Sequence, residues 1–465
     1  MPEFVTAIES MRKTVVIDVV GLSSALLEHL PFIKAYTQQR HLATVKPMLP
    51  ALTTSVQSTY LTGQWPSEHG IVGNGWYDRT DAEIKFWKQS NNLVDAPKIW
   101  DRARKLDPSF TCSQMCWWYN MYANVDYSLT PRPNYLSDGR KVPDCYTSPA
   151  TLRDYLTEQL GKFPLFNYWG PTASIKSSQW IADASILTDK LYNPTLTFIY
   201  LPHLDYCLQK FGQDPVRNAK ELSEIDAVVK QLITYYQQQN CDPIILSEYG
   251  ITNVNNPIHL NRILRQEGLL ALRVENGLEL LDAGASKAFA VADHQIAHIY
   301  INDPSCYKKV RTILENVPGV QLVLDREGKR EHHLHHARTG DLVAVADANS
   351  WFTYYYWLDD AKAPDFARIV DIFRKPGYDP VEMFMDPADP LIKLKAAGKL
   401  LKKKLGFRYL MNVIPLDATL IKGSHGRLEE NPDYHAVVIS PNPVSKTQLQ
   451  ATDVYELIWN QLTGK

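Results

Sequence analysis

The sequence holds no apolar run approaching the ~20 residues that a membrane-spanning helix requires. Its first ten residues include Glu3 and Glu9 and lack the apolar core of a secretory signal. No transmembrane segment is expected, and the cytoplasm is the simplest compartment. Cysteine is scarce: the 465 residues contain six, at Cys112, Cys116, Cys145, Cys207, Cys241 and Cys306, with no CxxC pair. So few and so scattered, they cannot build a disulfide scaffold. Cys112 and Cys116 have the spacing of neighbours on one helix face, although an incidental pair is the simpler reading. An excess of one charge is missing too. Lys+Arg is 49 and Asp+Glu is 51, a net charge of -2. That leaves no global basic field for a nucleic-acid duplex. Internal repeats and low-complexity stretches are absent.

What is present is an ordinary globular balance, 45% hydrophobic and 22% charged. Lys13 to Val20 is a β-branched run with one acid, Asp18, near its end, and reads as a buried parallel strand. A helix is expected over 23–30 and a short strand over 43–48. Thr54 to Leu61 suits a helix, with Thr53 at or just before its N-terminus and Gly63 closing it. Leu196 to Leu201 and Pro243 to Leu246 read as core strands, with a long helix from Val216 to Gln238 between them. Further strands are expected at 297–301, 321–324 and 341–345, with a helix over 307–316. Trp351 to Trp357 reads as a buried strand, and 130–150 and 375–390 as long surface loops. Strands alternating with helices predict a doubly wound, mostly parallel α/β sheet with helices on both faces. The expected organisation is one domain over 11–465, within which 260–405 is an inserted or cap region. Lys393 to Lys404 carries six lysines among leucines. It suits either a solvated surface helix or a weak contact with an anionic membrane.

In such sheets, reactive groups collect beyond the carboxyl ends of the strands. Asp18, Asp205, Glu248 and His425 stand where strands should end, and three carboxylates with one imidazole suggest a metal site. Each alone has a plain reading as a helix cap or a satisfied structural residue. In Pro50-Ala51-Leu52-Thr53, a hydroxyl falls at a predicted helix N-terminus, where free N–H groups and the dipole favour an alkoxide and an incoming phosphate. An N-cap threonine without chemistry is the bland alternative. Asn74, between Gly73 and Gly75, is either a turn residue or a donor to a phosphoryl oxygen. Aromatics follow it (Trp76, Tyr77, Trp87, Trp117, Trp118) and could stack on a planar group.

The order Asp18, then P-x-x-T-x(8)-T-G over 50–63, then P-x-x-H-G-I-x-x-N over 66–74, resembles the alkaline phosphatase superfamily. More narrowly it resembles the type I phosphodiesterase/nucleotide pyrophosphatase family. The resemblance is dense from about 13 to 80 and returns at 196–212, 243–250 and 423–427. It implies an alkaline-phosphatase-like fold and a metal-dependent phosphoric ester hydrolase acting on a small phosphoester. It implies Thr53 as nucleophile and metal ligand, and Asp18 and Asp205 as ligands of two ions, with His425 joining late. It further implies that Asn74, with the Thr54 backbone N–H, binds a phosphoryl oxygen. Trp76 is a candidate for the substrate's planar group.

Departures are visible. The family's Ser-Asp-His-Gly block is Ser247-Glu248-Tyr249-Gly250 here, and the histidine expected four residues after Asp205 is Gln209. The candidate ligand set is therefore Asp18, Thr53, Asp205, Gln209, Glu248, Tyr249 and His425. It is oxygen-rich and suits Mn, Mg or Ca better than Zn; one or two divalent ions, Zn, Mn or Mg, are expected. His203, two residues before Asp205 on an extended chain, and His294 and His298 are spare imidazoles that could substitute. The His332–His336 cluster reads as polar surface. Two other readings stand beside hydrolysis. One is a noncatalytic ligand-binding protein with an eroded metal site. The other is a phosphonate hydrolase or phosphotransferase of the same superfamily.

Overall fold

The computed structural model describes residues 11–137, 140–444 and 446–465. Thr14–Val19 is the middle of the sheet, and every residue in it is buried. It pairs in parallel with Leu196–Leu201 on one side and Ile244–Leu246 on the other. Both neighbours read out as apolar, because a central parallel strand is covered on both faces. The sheet continues through Cys112–Met115, Tyr127–Pro131 and Cys145–Ser148 beyond Leu196–Leu201. On the other flank come Ala436–Ser440, His41–Val45 and Gln448–Leu449, which makes nine strands. The three pairs that involve Ala436–Ser440 or Cys145–Ser148 are antiparallel, and the rest are parallel. The mixed, mostly parallel α/β architecture is the one expected.

Alternation along the central strand decides which face meets which helix. Val15, Ile17 and Val19 pack with Ile181, Val229 and Leu232 from the helices Ile175–Tyr192 and Ala219–Gln237. Val16 packs on the opposite side with Val56, Tyr60 and Ile458. These come from the helices Thr53–Thr62 and Asp453–Thr463. Asp18 has the parity of Val16, so its carboxyl emerges on the face of the Thr53–Thr62 helix.

Ala288–Asp293, Ile296–Ile301, Leu342–Ala346 and Val320–Leu324 form a separate four-stranded antiparallel sheet. Its first hairpin turns at His294, which has φ +59°.

Several local expectations are corrected. Residues 23–30 form a 3-10 turn, Ser24–His29, followed by the helix Pro31–Thr37. The strand placed at 43–48 is His41–Val45. Only part of 130–150 is the expected surface loop: Tyr127–Pro131 and Cys145–Ser148 pair as the sheet edge, while the described residues between them are exposed or half-buried. Residues 375–383 are buried, and the Lys375 ammonium lies 2.7 Å from both Asp379 and Glu382. Only Ser350–Phe352 of the aromatic run is a strand. Tyr354, Tyr355, Tyr356 and Trp357 are buried as irregular backbone. Period-two reasoning fails there because the aromatic rings pack against one another in all directions. Cys112 lies in a strand, not a helix, and all six cysteines are free. Among the described residues no helix is long and apolar enough to cross a membrane.

Candidate active site

Because Thr14–Val19, Leu196–Leu201 and Ile244–Leu246 run in parallel, their carboxyl ends share one edge. Asp18 and Glu248 reach that edge on or just after their strands. Asp205 arrives in the first turn of the helix His203–Phe211. The helical backbone also corrects the expectation for His203, which does not share an extended face with Asp205. It is buried, its nearest acidic group is Glu224 at 3.7 Å, and neither ring nitrogen has a hydrogen-bond partner.

The helix N-terminus is the second component. Leu52, not Thr53, is the N-cap residue, and its own side chain makes no cap bond. Thr53 is the first helical residue, and its hydroxyl is free for something other than capping. Thr53 Oγ1 shares a 2.8 Å hydrogen bond with the Tyr249 hydroxyl. Tyr249 in turn donates to Asp205 Oδ1 at 3.3 Å. Its ring lies flat on His425, with centroids 3.6 Å apart. Burial, then the nearby Asp205 and Glu248 carboxyls, hold the phenol well above its usual pKa. Tyr249 is therefore a neutral hydrogen-bonding group.

Gln57 stands one helical turn after Thr53, on the same face. Its amide nitrogen donates to Glu248 Oε1 at 2.6 Å and to Asp18 Oδ2 at 3.4 Å. Its carbonyl accepts from the Trp118 backbone N–H at 2.8 Å. The remaining oxygens, Asp18 Oδ1 and Glu248 Oε2, are buried without a protein partner. Burial raises both carboxyls above their ordinary range, and for Asp18 the Glu248 charge adds to this.

The Asp205 half is more occupied. Gln209 donates to Asp205 Oδ2 at 2.9 Å, and the Gln209 carbonyl accepts from Tyr378 at 2.9 Å. Burial pushes Asp205 up to about 7 against the hydrogen bond from Gln209. His425 bonds through Nδ1 to the Ala51 carbonyl at 2.8 Å, so its Nε2 carries the lone pair. That Nε2 has no hydrogen-bond partner and lies 3.7 Å from Asp205 Oδ1.

The Asn74 side chain binds the same helix terminus. Its Oδ1 accepts from the Thr54 N–H at 3.3 Å and the Thr54 hydroxyl at 3.1 Å. Its Nδ2 donates to Asp293 Oδ1 at 3.2 Å, and its backbone N–H to Asp293 Oδ2 at 2.9 Å. Trp76 joins none of these bonds. It is buried, and the Arg338 guanidinium sits 5.1 Å from its ring centroid. The partly exposed Trp87 and Trp118 pack on each other at 4.9 Å beside Asn74 and Gln57. The His298 ring faces the Val72 carbonyl at 2.9 Å, outside the group.

Sequence reasoning missed Gln57, Asp293 and Tyr378. The four-residue step from Thr53 to Gln57 was a usable signal. Asp293 had none, since 219 positions separate it from Asn74. Burial pushes the Asp293 carboxyl up to about 7, opposed by the Asn74 hydrogen bonds. An unfolded aspartate ionises near ~4. Its contribution to stability is therefore whole below that pH and is lost as the pH rises towards 7. Asp293→Asn should flatten this component. Urea midpoints of the variant are expected to fall less between about pH 4 and 7 than those of wild type; equal slopes would refute the assignment.

Whether these residues suit divalent ions can be judged from their free lone pairs. Asp18 Oδ1 and Glu248 Oε2 beside a threonine hydroxyl are hard oxygen donors, which fits one Mg- or Mn-like ion. The Asp205 half fits less well, because Gln209 spends its amide on Asp205 and its carbonyl on Tyr378. Among the described residues, no three His, Cys, Asp or Glu side chains converge closely enough to hold an ion unaided.

The chain belongs to the type I phosphodiesterase/nucleotide pyrophosphatase family, whose pattern matches residues 14–379. Ectonucleotide pyrophosphatase/phosphodiesterase 2 of Saccharomyces cerevisiae is 27% identical over 262 residues, which is 52% of this chain and 48% of that protein. This chain spans less than half the length of the curated relatives it matches. An inactive form of murine ectonucleotide pyrophosphatase/phosphodiesterase 5 in complex with AMP has the same fold. Its TM-score is 0.59 at 15% identity, over 97% of this chain and 95% of that one. Phosphonoacetate hydrolase from Sinorhizobium meliloti, in complex with phosphonoformate, gives 0.59 at 13%, over 97% and 96%.

Proposed function

We propose that this chain hydrolyses a small phosphodiester or pyrophosphate, with Thr53 as nucleophile. The supporting observation is the helix terminus itself, where the Thr53 hydroxyl takes no part in capping and lies against Glu248, beside the unpartnered oxygens of Asp18 and Glu248. In this reading the Thr53 oxygen attacks phosphorus and the leaving-group oxygen departs. Water then cleaves the phosphothreonine. The Thr54 N–H and the Asn74 amide hold a phosphoryl oxygen, for which the Thr54 N–H must exchange its bond to Asn74 Oδ1 and Asn74 Nδ2 its bond to Asp293. Asp18, Glu248 and Thr53 are the residues that would hold one divalent ion. Such an ion, when bound, supplies positive charge that favours the threonine alkoxide. Asp205, Gln209, Tyr249 and His425 form a neighbouring half-site that orients Thr53 through the Tyr249 hydroxyl. Trp87 and Trp118 offer a face for the substrate's planar group. Segment 260–405 acts as a cap, since Asp293, His294 and Tyr378 enter the site from it.

The test is hydrolysis of an aryl phosphodiester with Mn, Mg or Zn added, together with elemental analysis of chelator-free protein. Turnover with about one metal equivalent is expected. The neutral Tyr249 lodged against Thr53 favours a second reading, a binding protein without turnover. No hydrolysis under any metal, with retained binding of AMP, would select it.

A further inference from the structure

We propose that the segment from Leu391 to Leu410 is a docking surface for an anionic lipid bilayer. Its helix, Ile392–Lys404, rests on the protein along one narrow face. Ala396 is buried there, and Ile392, Lys399 and Lys403 are half-buried. Their steps of four, three and four place them on one side. Leu394, Leu401 and Leu405 lie on the opposite side at the same kind of spacing, and are 69%, 57% and 63% exposed. Leu391 precedes them and Phe407 follows, 55% and 65% exposed. The outermost ridge of this helix is thus apolar.

Lysines flank that ridge. Lys393 and Lys404 lie to one side of it, and Lys395 and Lys402 to the other, by helical spacing. No Asp or Glu occurs between Leu391 and Leu410. Lys393, Lys402 and Lys404 make no ion pair among the described residues. Apolar side chains at the tip with cations on both shoulders match the two layers of a bilayer surface. The leucines enter the acyl boundary, and the ammonium groups reach anionic headgroups. A second copy of the chain fits poorly, because face-to-face packing would oppose lysine to lysine.

Flotation with vesicles tests this. Binding to vesicles with about 30% phosphatidylserine should exceed binding to phosphatidylcholine alone by about tenfold or more, and should weaken at high salt. Leu394→Glu/Leu401→Glu should reduce it to the phosphatidylcholine level. Lys393→Glu/Lys402→Glu/Lys404→Glu should do the same. Both variants change exposed side chains, so their melting temperatures should match wild type. Their hydrolysis of a soluble aryl phosphodiester should also match, so this test is independent of the catalytic reading. Equal binding to both vesicle types would overturn the proposal. So would no binding, or binding that survives the leucine substitutions. Self-association without lipid that the leucine variant abolishes would assign the face to a second copy and overturn it as well.

Discussion

Thr53→Ala is expected to reduce turnover by at least about 10³-fold while the protein still folds. In the proposed reaction the Thr53 hydroxyl forms the covalent bond, and no other group at the helix terminus is placed to replace it. Thr54 is the nearest alternative, but its Oγ1 already donates to the Gly73 carbonyl at 2.8 Å as well as to Asn74. Thr54→Ala should therefore cost activity only through a loosened Asn74. Folding survives in Thr53→Ala because Thr53 does not cap the helix and its hydroxyl meets only the side chains of Tyr249 and Glu248 among the described residues. The lost hydrogen bond costs about 1 kcal/mol. Steady-state rates and thermal melts check both halves. Retention of a tenth of wild-type activity or more in Thr53→Ala would remove the nucleophile assignment. If Thr54→Ala were the inactive variant instead, the role would move by one residue.

Asp18→Asn/Glu248→Gln should abolish divalent-ion binding and activity together while raising the stability of the metal-free protein. The two carboxyls are buried side by side, and each charge is costly without a cation. The amides keep the volume, and their carbonyls still accept from Gln57. What disappears is the charge. Ion affinity is expected to fall by more than about 100-fold. At pH 8 with chelator, the variant should gain on the order of 1 kcal/mol. Elemental analysis and urea unfolding read the two effects separately. Unchanged metal content would place the ion elsewhere. Unchanged stability would mean that the wild-type carboxyls are already relieved by protons and by the Gln57 amide.

Much of the scaffold was legible because its signals are local. The run Thr14–Val19 carries the composition of a doubly covered strand, and the parity of Asp18 within it already points the carboxyl to one face. Gly63, with φ +67°, ends the Thr53–Thr62 helix where the glycine predicted it. The polar residues after three strands were recognisable as one edge once those strands were taken as parallel neighbours. The errors came where side-chain packing outweighs local pattern. Thr353 to Trp357 is as apolar as a strand, yet its rings fill a cluster that needs no ladder. The chain at 375–383 is rich in turn residues and charge, yet it is buried because Lys375 neutralises two acids inside it.

By itself the sequence determined the threonine segment at a helix start, the acids at the strand ends and the glutamine and tyrosine at two positions where the family pattern has histidine, since each of these is a matter of residue type and short spacing. Only the tertiary structure decided what the substituted residues do. Tyr249 meets Thr53 across 196 positions and Asp293 meets Asn74 across 219. Such contacts depend on strand order, on the entry of a distant hairpin and on competition among buried groups for a limited number of hydrogen bonds. No local period in the chain encodes that competition.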